Sequence, residues 1–596
     1  MSAMRPRKKL ESSMVKETII SDLPEHIIHN VLSLLSTKDA ARTTVLSKRF
    51  RLAWTSFPII DLDFTEFRNN IAIDQFLDFV RDSLQRRAPN ICVEKFRLLV
   101  VLRSMEADNR IDGAISYAIE HKVKELDLHL LHTNNFNDLY YKLPSVLFSV
   151  DSVKVLKLKG FNLETLDLEK FPLIEELSLI SCAGLNNLRV SNGQLKILEV
   201  KSCGGLLQID ISKSNLRSFS FTGKHSGGGE YENCQINPAD CHSLTNLAIR
   251  GAPKITSEWF DNYVSKLTLL ENLILSECKR LKKIYIPNPE VKVVEIKRCA
   301  VLGKIEIVAQ NVQSFVYFGQ SRPCQIKITA CRLLRNLQLY GANVEARWIE
   351  ERLSQLPLLE SLRLCYCDML RTLEVSHEQL KSFQLINCSI LEKAVIYAPN
   401  LIYFRYEGKV LKSPLSVDSP HLEAELTVDS GRYITSSDEW YNKLRNFLGY
   451  FDHCKLLILN CIPRRNLYPT FLIFPEDLRD TLLPPLFDVK HLKVKIEAQL
   501  KDIISLVDGL LWLSPLLETM SIIDSGSGGG ESSLKFQYAK SSVMEEMDLT
   551  CCHSRIIKCW RHHLKKVSME NFSESDRMRL MDYFGRKAMR LETIET

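Results

Sequence analysis

The sequence lacks the features that mark secreted and membrane-spanning proteins. The basic run from Arg5 to Lys9 is followed by no apolar stretch of the kind that a secretory signal needs. No uncharged apolar run reaches the roughly 20 residues that span a bilayer, and the most apolar tract, 503–517, is broken by Asp508 and Pro515. We therefore expect a cytoplasmic or nuclear protein, without a membrane partner, whose 17 cysteines are free thiols.

Charge and catalytic motifs are also sparse. The net charge is only +6 over 596 residues, so no general affinity for nucleic acid is implied. The sequence contains no H-E-x-x-H, G-x-S-x-G, Walker or dinucleotide-binding motif. The glycine-rich runs at 226–229 and 525–530 lack the Lys-Ser/Thr of a phosphate loop and favour flexible loops. The sequence thus favours recognition over catalysis, and it predicts no cofactor and no metal.

A compact helical pattern lies near the start of the chain, between Ser21 and Trp54. Ser21 or Asp22 is suited to cap a first helix, and Ser36 and Ser47 are suited to cap a second and a third. About 35 residues cannot bury a self-sufficient core, so part of the apolar surface must be covered by a partner or by the rest of the chain. The pattern predicts either a docking module or a helical cap on the larger domain.

The residues of this module resemble the F-box motif. The resemblance is carried by Leu23-Pro24, Ile28, Val31-Leu32 and Leu35, then by 44–51 and Trp54, and 54–58 is similar to the extension found in plant F-box proteins. Phe50 stands where the family usually has Trp, and another aromatic ring fills a similar volume. The resemblance implies docking on the Skp-type adaptor of cullin-RING ubiquitin ligases. The residues implied in or near that interface are Leu23, Pro24, Ile28, Val31 and Leu32.

The long middle of the chain is a repeat. The pattern L-x-x-L-x-L recurs every 21 residues from Val153, resumes from Leu244 in steps of 21 to 28 residues, and has weaker copies near His453, Val489 and Leu517. Apolar and polar residues alternate within each copy, as in a β-strand. A strand every 20–29 residues with this signature indicates a leucine-rich repeat, which stacks into a curved solenoid with a parallel sheet. The first positions are Val123, Val153, Ile174, Leu195, Leu216, Leu244, Leu270, Val291, Val312, Leu334, Leu359, Leu380 and Leu401.

Seven cysteines fall at a fixed place in these copies, eight residues after the first position. Single cysteines without C-x-x-C pairs or fixed histidine partners argue against metal ligation and for burial in the turn after each strand. A denser group between Cys551 and His563 contains metal-ligand types, but its spacing fits no usual zinc pattern, and incidental residues explain it better. The seven are Cys182, Cys203, Cys278, Cys299, Cys367, Cys388 and Cys461.

The strand positions between the leucines are predicted to line the concave face. For the middle copies they run from Ser314 to Glu407 and include aromatic and arginine side chains, which are enriched at binding hot spots. An open sheet also shows some aromatic residues without any function, so both interpretations stand. The candidate target-binding residues are Phe318, Tyr340, Arg363, Tyr403 and Arg405.

The remaining segments are assigned more coarsely. Residues 67–120 carry helical patterns, 411–488 keep the repeat poorly, and the end of the chain predicts a strand at 564–569 and then a helix containing Met578, Leu580 and Phe584. This end resembles the FBD region of many plant F-box proteins, and its plain role is to close the solenoid. The predicted domains are a disordered basic tail (1–17, which also contains a candidate nuclear address), an F-box (18–66), a helical linker and cap (67–120), a solenoid (121–545) and an FBD-like region (546–596).

Together these patterns predict an α/β protein: a small all-α F-box module, then a leucine-rich-repeat solenoid with an α+β C-terminal cap. The resemblance implies a non-catalytic substrate receptor of a Skp-cullin-F-box ubiquitin ligase, which binds the adaptor through the F-box and a target protein through the repeats. Two alternatives stand beside it: a hormone-type co-receptor that binds a small molecule, and an F-box scaffold that acts without a ligase.

Overall fold

The structure is a computed structural model, and it divides the chain into two compact units. Unit 1 is Met1–Lys254 and unit 2 is Ile255–Thr596. Both units combine parallel β-sheets with short helices, and the predicted α/β class with leucine-rich repeats is confirmed. The described residues are 23–67, 72–102, 109–132, 140–149, 151–164, 166–212, 214–225, 231–239, 241–319, 323–411, 415–419, 421–429, 438–461, 472–496, 503–525, 535–537 and 559–595.

Unit 1 begins with the three short helices that the sequence predicted. Ser36 and Ser47 cap the second and third of them, and each side chain accepts a hydrogen bond from the backbone three residues later. The proposed cap at Ser21 or Asp22 lies outside the described residues. The helices of unit 1 are α1 (Glu25–Ser33), α2 (Thr37–Thr43), α3 (Lys48–Ser56), α4 (Ile73–Gln85) and α5 (Asn109–Glu120).

The strands of unit 1 form one long parallel sheet and shorter ones beside it. The strands are β1 (Ile59–Asp63), β2 (Lys95–Leu102), β3 (Glu125–His132), β4 (Tyr141–Lys142), β5 (Val155–Lys159), β6 (Phe161–Asn162), β7 (Glu176–Ile180), β8 (Asn187–Val190), β9 (Ile197–Lys201), β10 (Gln208–Ile211), β11 (Ser218–Thr222), β12 (Gln235–Pro238) and β13 (Asn246–Arg250). The long sheet runs β1-β2-β3-β5-β7-β9-β11-β13. A second sheet pairs β10 with β8 and β12.

Unit 2 repeats this plan with longer insertions. Its helices are α6 (Ser257–Tyr263), α7 (Ala346–Leu353), α8 (Asp438–Gly449), α9 (Glu476–Thr481), α10 (Ile503–Leu513) and α11 (Glu574–Lys587). Its strands are β14 (Asn272–Ser276), β15 (Lys283–Ile286), β16 (Val293–Lys297), β17 (Lys304–Ile307), β18 (Ser314–Phe318), β19 (Gln325–Ile328), β20 (Asn336–Tyr340), β21 (Ser361–Cys365), β22 (Thr372–Ser376), β23 (Ser382–Ile386), β24 (Lys393–Tyr397), β25 (Tyr403–Lys409), β26 (Leu415–Asp418), β27 (Glu423–Asp429), β28 (Leu456–Cys461), β29 (His491–Ile496), β30 (Thr519–Asp524), β31 (Lys535–Gln537), β32 (Lys566–Glu570) and β33 (Thr593–Glu595).

The long sheet of unit 2 is parallel from β14 to β33. It runs β14-β16-β18-β20-β21-β23-β25-β27-β28-β29-β30-β32-β33, and β31 joins β33 in the antiparallel sense. Short sheets pair β17 with β15 and β19, and β24 with β22 and β26. Leucines and other apolar residues at alternate strand positions are buried, as in Leu337 and Leu339 of β20. Most of the intervening positions are half-exposed, and we call their side the open face.

The predicted repeat positions match the strands closely. From Val123 to Leu401, each first position lies two residues before a strand of a long sheet, and the weaker copies near His453, Val489 and Leu517 precede β28, β29 and β30. Since successive strands pair in register, each repeat buries its apolar edge against its neighbours. The repeat pattern therefore predicted where the strands begin.

At its N-terminal end, the sheet extends beyond the segment 121–545 that was predicted for the solenoid. The long sheet of unit 1 already begins with β1, inside the segment assigned to the F-box, and β2 lies within the segment 67–120, which is therefore not only helical. In 411–488 the repeat continues through β27 and β28, and α8 lengthens the step between these strands. At the C-terminal end, Leu580 and Phe584 of α11 are buried, whereas Met578 is exposed.

Among the helices of the described residues, none combines the length with the apolar character that a membrane span requires.

Candidate functional sites

The N-terminal module has a small apolar core of its own. The core is made by Ile28, Leu32, Ala40, Phe50, Ala53, Trp54 and Phe57, with Leu23 and Ile59 packed against it. Phe50, the residue that departs from the family pattern, is fully enclosed. His29 Nε2 lies 3.0 Å from the Ala53 carbonyl oxygen and the Ser56 hydroxyl donates to Glu25, so α1 is also tied to α3 by polar contacts.

The residues predicted for adaptor binding occupy two different environments. Ile28 and Leu32 are buried in the core of the module, where they pack beneath its surface residues and are not themselves accessible to a partner. Pro24 is exposed, Val31 is partly exposed and Leu23 is half-buried. The first two residues thus shape the module, while the last three reach its surface.

The module also carries exposed apolar side chains that the sequence reasoning did not assign to an interface. Leu34 is 86% exposed and Val45 is 81% exposed, and both lie where a helix has just ended. The available signal was their position: Leu34 follows α1, and Val45-Leu46 directly precede the Ser47 cap. Of the twenty exposed large apolar side chains among the described residues, six lie in this module: Val31, Leu34, Leu35, Val45, Leu46 and Leu52.

Arg87 joins the module to the first repeats of unit 1. Its side chain is only 7% exposed. Its Nη1 donates to the carbonyl oxygens of Trp54 at 2.6 Å and Phe57 at 3.3 Å, and its guanidinium carbon lies 4.1 Å from the centre of the Trp54 ring. Burial lowers the pKa of Arg87 to about 10, which leaves the group charged at neutral pH. The end of α3 is therefore held by a buried cation that follows α4.

Other contacts fix the same junction. The Thr37 hydroxyl donates to the Asp61 carbonyl oxygen of β1. The Ala88 backbone N–H donates to the Thr55 carbonyl at 3.0 Å, and the Glu94 N–H donates to the Pro58 carbonyl at 2.9 Å. Hydrogen bonds on several sides of the connection indicate that the module and the first strands form one packed body.

On the open face of unit 2, three rings form what we call the aromatic row: Phe318, Tyr340 and Tyr366. The Phe318 and Tyr340 rings stack with their centres 3.8 Å apart and their planes 14° apart, and the Tyr340 and Tyr366 centres lie 4.9 Å apart. The Arg298 guanidinium lies 5.4 Å from the Phe318 centre. Two of the rings were predicted, and Tyr366 was missed because it follows its strand.

The predicted residues Tyr403 and Arg405 belong instead to a network that we call the polar clasp. Its members come from four neighbouring strands and are Tyr403, Arg405, Glu407, Glu425, Asn460 and Lys495. Glu425, which is 7% exposed, lies at the centre. It accepts hydrogen bonds from Tyr403 at 2.6 Å, Asn460 at 2.8 Å and Lys495 at 3.2 Å.

The clasp neutralises its own charges. Burial alone would raise the pKa of the Glu425 carboxyl, but the hydrogen bonds from Asn460, Tyr403 and Lys495 outweigh it and lower the pKa to about 2. Arg405 pairs with Glu407 at 3.2 Å and with Glu425 at 3.9 Å. The clasp ties β25 to β27, β28 and β29, across the two steps that α8 and α9 lengthen.

Arg363, the remaining predicted residue, lies between these two features. It occupies the middle open-face position of β21, in register with Gln338 of β20 and Gln384 of β23. It is half-buried. Burial raises the pKa of the neighbouring Cys365 thiol, and Arg363 offsets part of that rise.

The repeat cysteines lie after left-handed turns at the ends of the strands. Six of the seven follow a residue of positive φ, between 47° and 56°: Ser181, Ser202, Glu277, Arg298, Tyr366 and Asn387. The turn directs the next side chain inward, and the Cys182 thiol donates to the Leu158 carbonyl oxygen of an earlier strand at 3.4 Å. Cys182, Cys278, Cys299, Cys367 and Cys461 are buried, as predicted, while Cys203 and Cys388 are half-buried.

Within the described residues, no group of three or more His, Cys, Asp or Glu side chains is arranged to hold a metal ion. Of the cluster considered at 551–563, Cys551, Cys552 and His553 lie outside the described residues.

Comparison with known proteins identifies two domains. An F-box domain model matches residues 20–62, and a model described as At1g61320/AtMIF1, LRR domain, matches residues 322–437. These matches confirm the resemblance drawn from the sequence: the chain carries an F-box domain and a leucine-rich-repeat domain.

Relatives from Arabidopsis thaliana combine the same elements. The chain is 31% identical over 204 residues to F-box/LRR-repeat protein At5g02910, a match that covers 33% of this chain and 41% of the relative. It is 24% identical over 436 residues to FBD-associated F-box protein At1g66310, covering 66% and 93%. F-box/LRR-repeat protein At4g14096 is 33% identical over 168 residues, covering 28% and 34%. The chain thus matches less than half the length of two of these relatives and most of the third.

Proposed function

We propose that this protein is the substrate receptor of a Skp-cullin-F-box-type ubiquitin ligase. In this proposal the F-box module docks on the Skp-type adaptor, and the repeats hold a target protein. The chain contributes proximity, because tethering the target raises the effective concentration of its lysines near the ubiquitin carrier. No residue of the chain needs to react. We place this activity in the cytoplasm or the nucleus.

The observation that carries the proposal is the exposed apolar surface of a module that already has a filled core. Scattered apolar side chains are ordinary on protein surfaces. Six of them within residues 31–52, on the helices of the module and the turns between them, are a concentration that favours a protein partner. Val31 belongs to this set and Pro24 is exposed at the N-cap of the same helix, so we retain both as adaptor contacts and add Leu34, Val45, Leu46 and Leu52.

The junction at Arg87 supports a receptor role. A receptor must hold its target at a defined place relative to the adaptor, because the geometry of transfer depends on position. Arg87 and the backbone hydrogen bonds around it join α3 to the strands that follow, so the module has little freedom to swing away from the first repeats.

Target binding is assigned to the open face of unit 2. The aromatic row supplies stacked rings of the kind that anchors protein interfaces. Tyr403 and Arg405 already bind side chains of the chain itself, and we therefore give them a supporting role beside Phe318, Tyr340 and Arg363.

The experiment that tests the proposal is capture of a purified Skp-type adaptor by the full chain. We expect the double variant Leu34→Asp and Leu46→Asp to abolish capture, because a charge at each position opposes burial against an apolar partner. Changing Leu23 and Pro24 together to Ala should weaken it. Leu207→Asp is the matched control, since Leu207 is an exposed leucine of unit 1 outside the module.

Two outcomes would overturn the proposal: no capture of any Skp-type adaptor by the wild-type chain, or equal capture by the double variant and the wild type. Ile28 and Leu32 are unsuitable for this test, because their replacement would disturb the core of the module.

A further inference from the structure

We propose that Arg363 recognises an acidic side chain of the target, so that the open face of unit 2 binds an extended peptide segment bearing a carboxylate. The guanidinium would hold the carboxylate, and an apolar group of the same segment would rest on the aromatic row. This inference deepens the proposed function, because it assumes that the open face holds the target, and it names the chemistry of what is held.

The first observation is the charge of the surface around Arg363. The open-face positions of β20, β21 and β23 contain amides, hydroxyls, a thiol, Tyr340 and Ile386, and Arg363 is their one charged residue. The residues directly beside it in register are the neutral Gln338 and Gln384. This three-strand patch therefore carries a single positive charge.

The second observation is that this charge has no counter-ion in the described chain. No carboxylate of the described residues lies within ion-pair distance of Arg363. Glu360, three residues away in sequence, is already engaged by Arg335 and by Lys381, the latter at 2.9 Å. The Nε–H groups of Arg363 and Arg405 are both buried without a hydrogen-bond acceptor among the described residues, so the two arginines differ in their ion pairs.

Arg405 provides an internal comparison. It occupies the same row of the open face two strands away, at a separation of about 10 Å given the usual strand spacing. Arg405 is surrounded by Glu407 and Glu425, and the clasp balances it. The fold therefore neutralises one arginine of this row with its own carboxylates and leaves the other for a ligand.

The chemistry of the site favours a carboxylate over a phosphate. A half-buried cation is costly when it is unpaired, and the planar fork of Arg matches the two oxygens of a carboxylate. A phosphate carries nearly two charges at neutral pH, and proteins usually meet it with a cluster of arginines. A patch with one unpaired cation matches one negative charge.

The aromatic row specifies the neighbourhood of that carboxylate. Tyr340 belongs to the strand next to Arg363, and Tyr366 is 41% exposed at the edge of the same patch. Stacked rings offer apolar surface at low entropic cost to a bound segment. We therefore expect the recognised segment to combine an acidic residue with an aromatic or aliphatic one.

The test uses a displayed library of random peptides, selected on the immobilised full chain. We expect the wild type to enrich peptides with Asp or Glu beside an apolar residue, and Arg363→Gln to lose the acidic preference. Arg371→Gln is the matched control, because Arg371 is an exposed arginine that pairs with Glu392 away from the open face. An enriched peptide, resynthesised with Glu or with Gln, is then titrated against both chains by fluorescence anisotropy.

The proposal predicts that Arg363→Gln in the chain, or Gln in place of Glu in the peptide, weakens binding by about thirtyfold or more, equivalent to about 2 kcal/mol. When both changes are made, the second should weaken binding little further. It is overturned if no peptide is enriched, if Arg363→Gln keeps the acidic preference, or if a phosphoserine peptide binds more tightly than its glutamate counterpart. Adaptor capture, measured on the same protein, reports separately on the proposed function.

Discussion

Arg363 and Arg405 share one row of the open face, with Gln384 between them, but only Arg405 is ion-paired within the described chain. The two positions have the same residue type, strand geometry and sheet. Their difference arises from the next strands, because β27 supplies Glu425 while β20 and β23 supply glutamines.

This difference predicts unequal effects of the same substitution on the stability of the protein. Arg405→Gln should destabilise the protein by about 2 kcal/mol, because it leaves Glu407 and Glu425 short of a partner. Arg363→Gln should change stability by less than about 0.5 kcal/mol, since it breaks no ion pair. Thermal unfolding of the two variants side by side measures the difference. Equal losses of stability would contradict the conclusion that Arg405 is ion-paired and Arg363 is not.

The clasp also predicts a dependence on pH. The pKa of Glu425 is lowered from its usual 4.5 to about 2 in the folded protein. A carboxyl whose pKa is lower in the folded state stabilises that state above the unfolded pKa, and the contribution is lost as the pH falls through the folded pKa. The stability gap between wild type and Glu425→Gln should therefore narrow between pH 4.5 and pH 2.

Glu423→Gln is the control for this titration. Glu423 lies on the same strand, and no ion pair of the described chain includes it. The difference in stability between wild type and this variant, measured by thermal unfolding, should stay constant over the same pH range. A gap for Glu425→Gln that is equally insensitive to pH would show that Glu425 does not titrate in the clasp.

The junction gives a third prediction. Arg87→Met should loosen α1 to α3, because the carbonyl oxygens of Trp54 and Phe57 lose a buried donor at a cost of about 2 kcal/mol. Hydrogen exchange of the backbone over residues 25–57 should accelerate. Arg86→Met removes an exposed arginine one position away, and its exchange should match the wild type. Unchanged exchange in Arg87→Met would mean that the module does not depend on this cation.

The sequence predicted the repeating strands well because each repeat buries the same positions. Leu337 and Leu339 face the core for the same reason as Leu362 and Leu364, and a fixed period makes that pattern visible. The second strand of the repeat was missed, although residues such as Lys304-Ile305-Glu306-Ile307 show the alternation of a strand. β1 was missed because its five residues follow α3 closely and were included in the predicted F-box segment, 18–66.

The candidate sites were less accessible to sequence reasoning. The burial of Ile28 and Leu32 depends on how three helices pack, which periodicity alone does not determine. Glu425 meets Arg405 because the chain returns after a turn, and it meets Lys495, 70 residues later, through two intervening insertions. The spacing of residues in the sequence does not reveal contacts with counter-ions that distant. Arg363 and Arg405 were therefore predicted to have the same role.

The left-handed turns at the strand ends give the last prediction. Gly160 has φ +82°, and a Cβ placed there would lie 2.0 Å from the Leu130 carbonyl oxygen, a backbone atom of the neighbouring strand. Gly160→Ala should therefore destabilise unit 1 by more than the roughly 1 kcal/mol that a left-handed conformation costs an ordinary residue, since the backbone must also move apart. Gly113 lies inside α5 with no atom within 4 Å of an added Cβ, and Gly113→Ala should stabilise the protein by up to about 1 kcal/mol. Thermal unfolding of the pair checks both signs, and a neutral Gly160→Ala would contradict the close approach of β3 to the turn after β5.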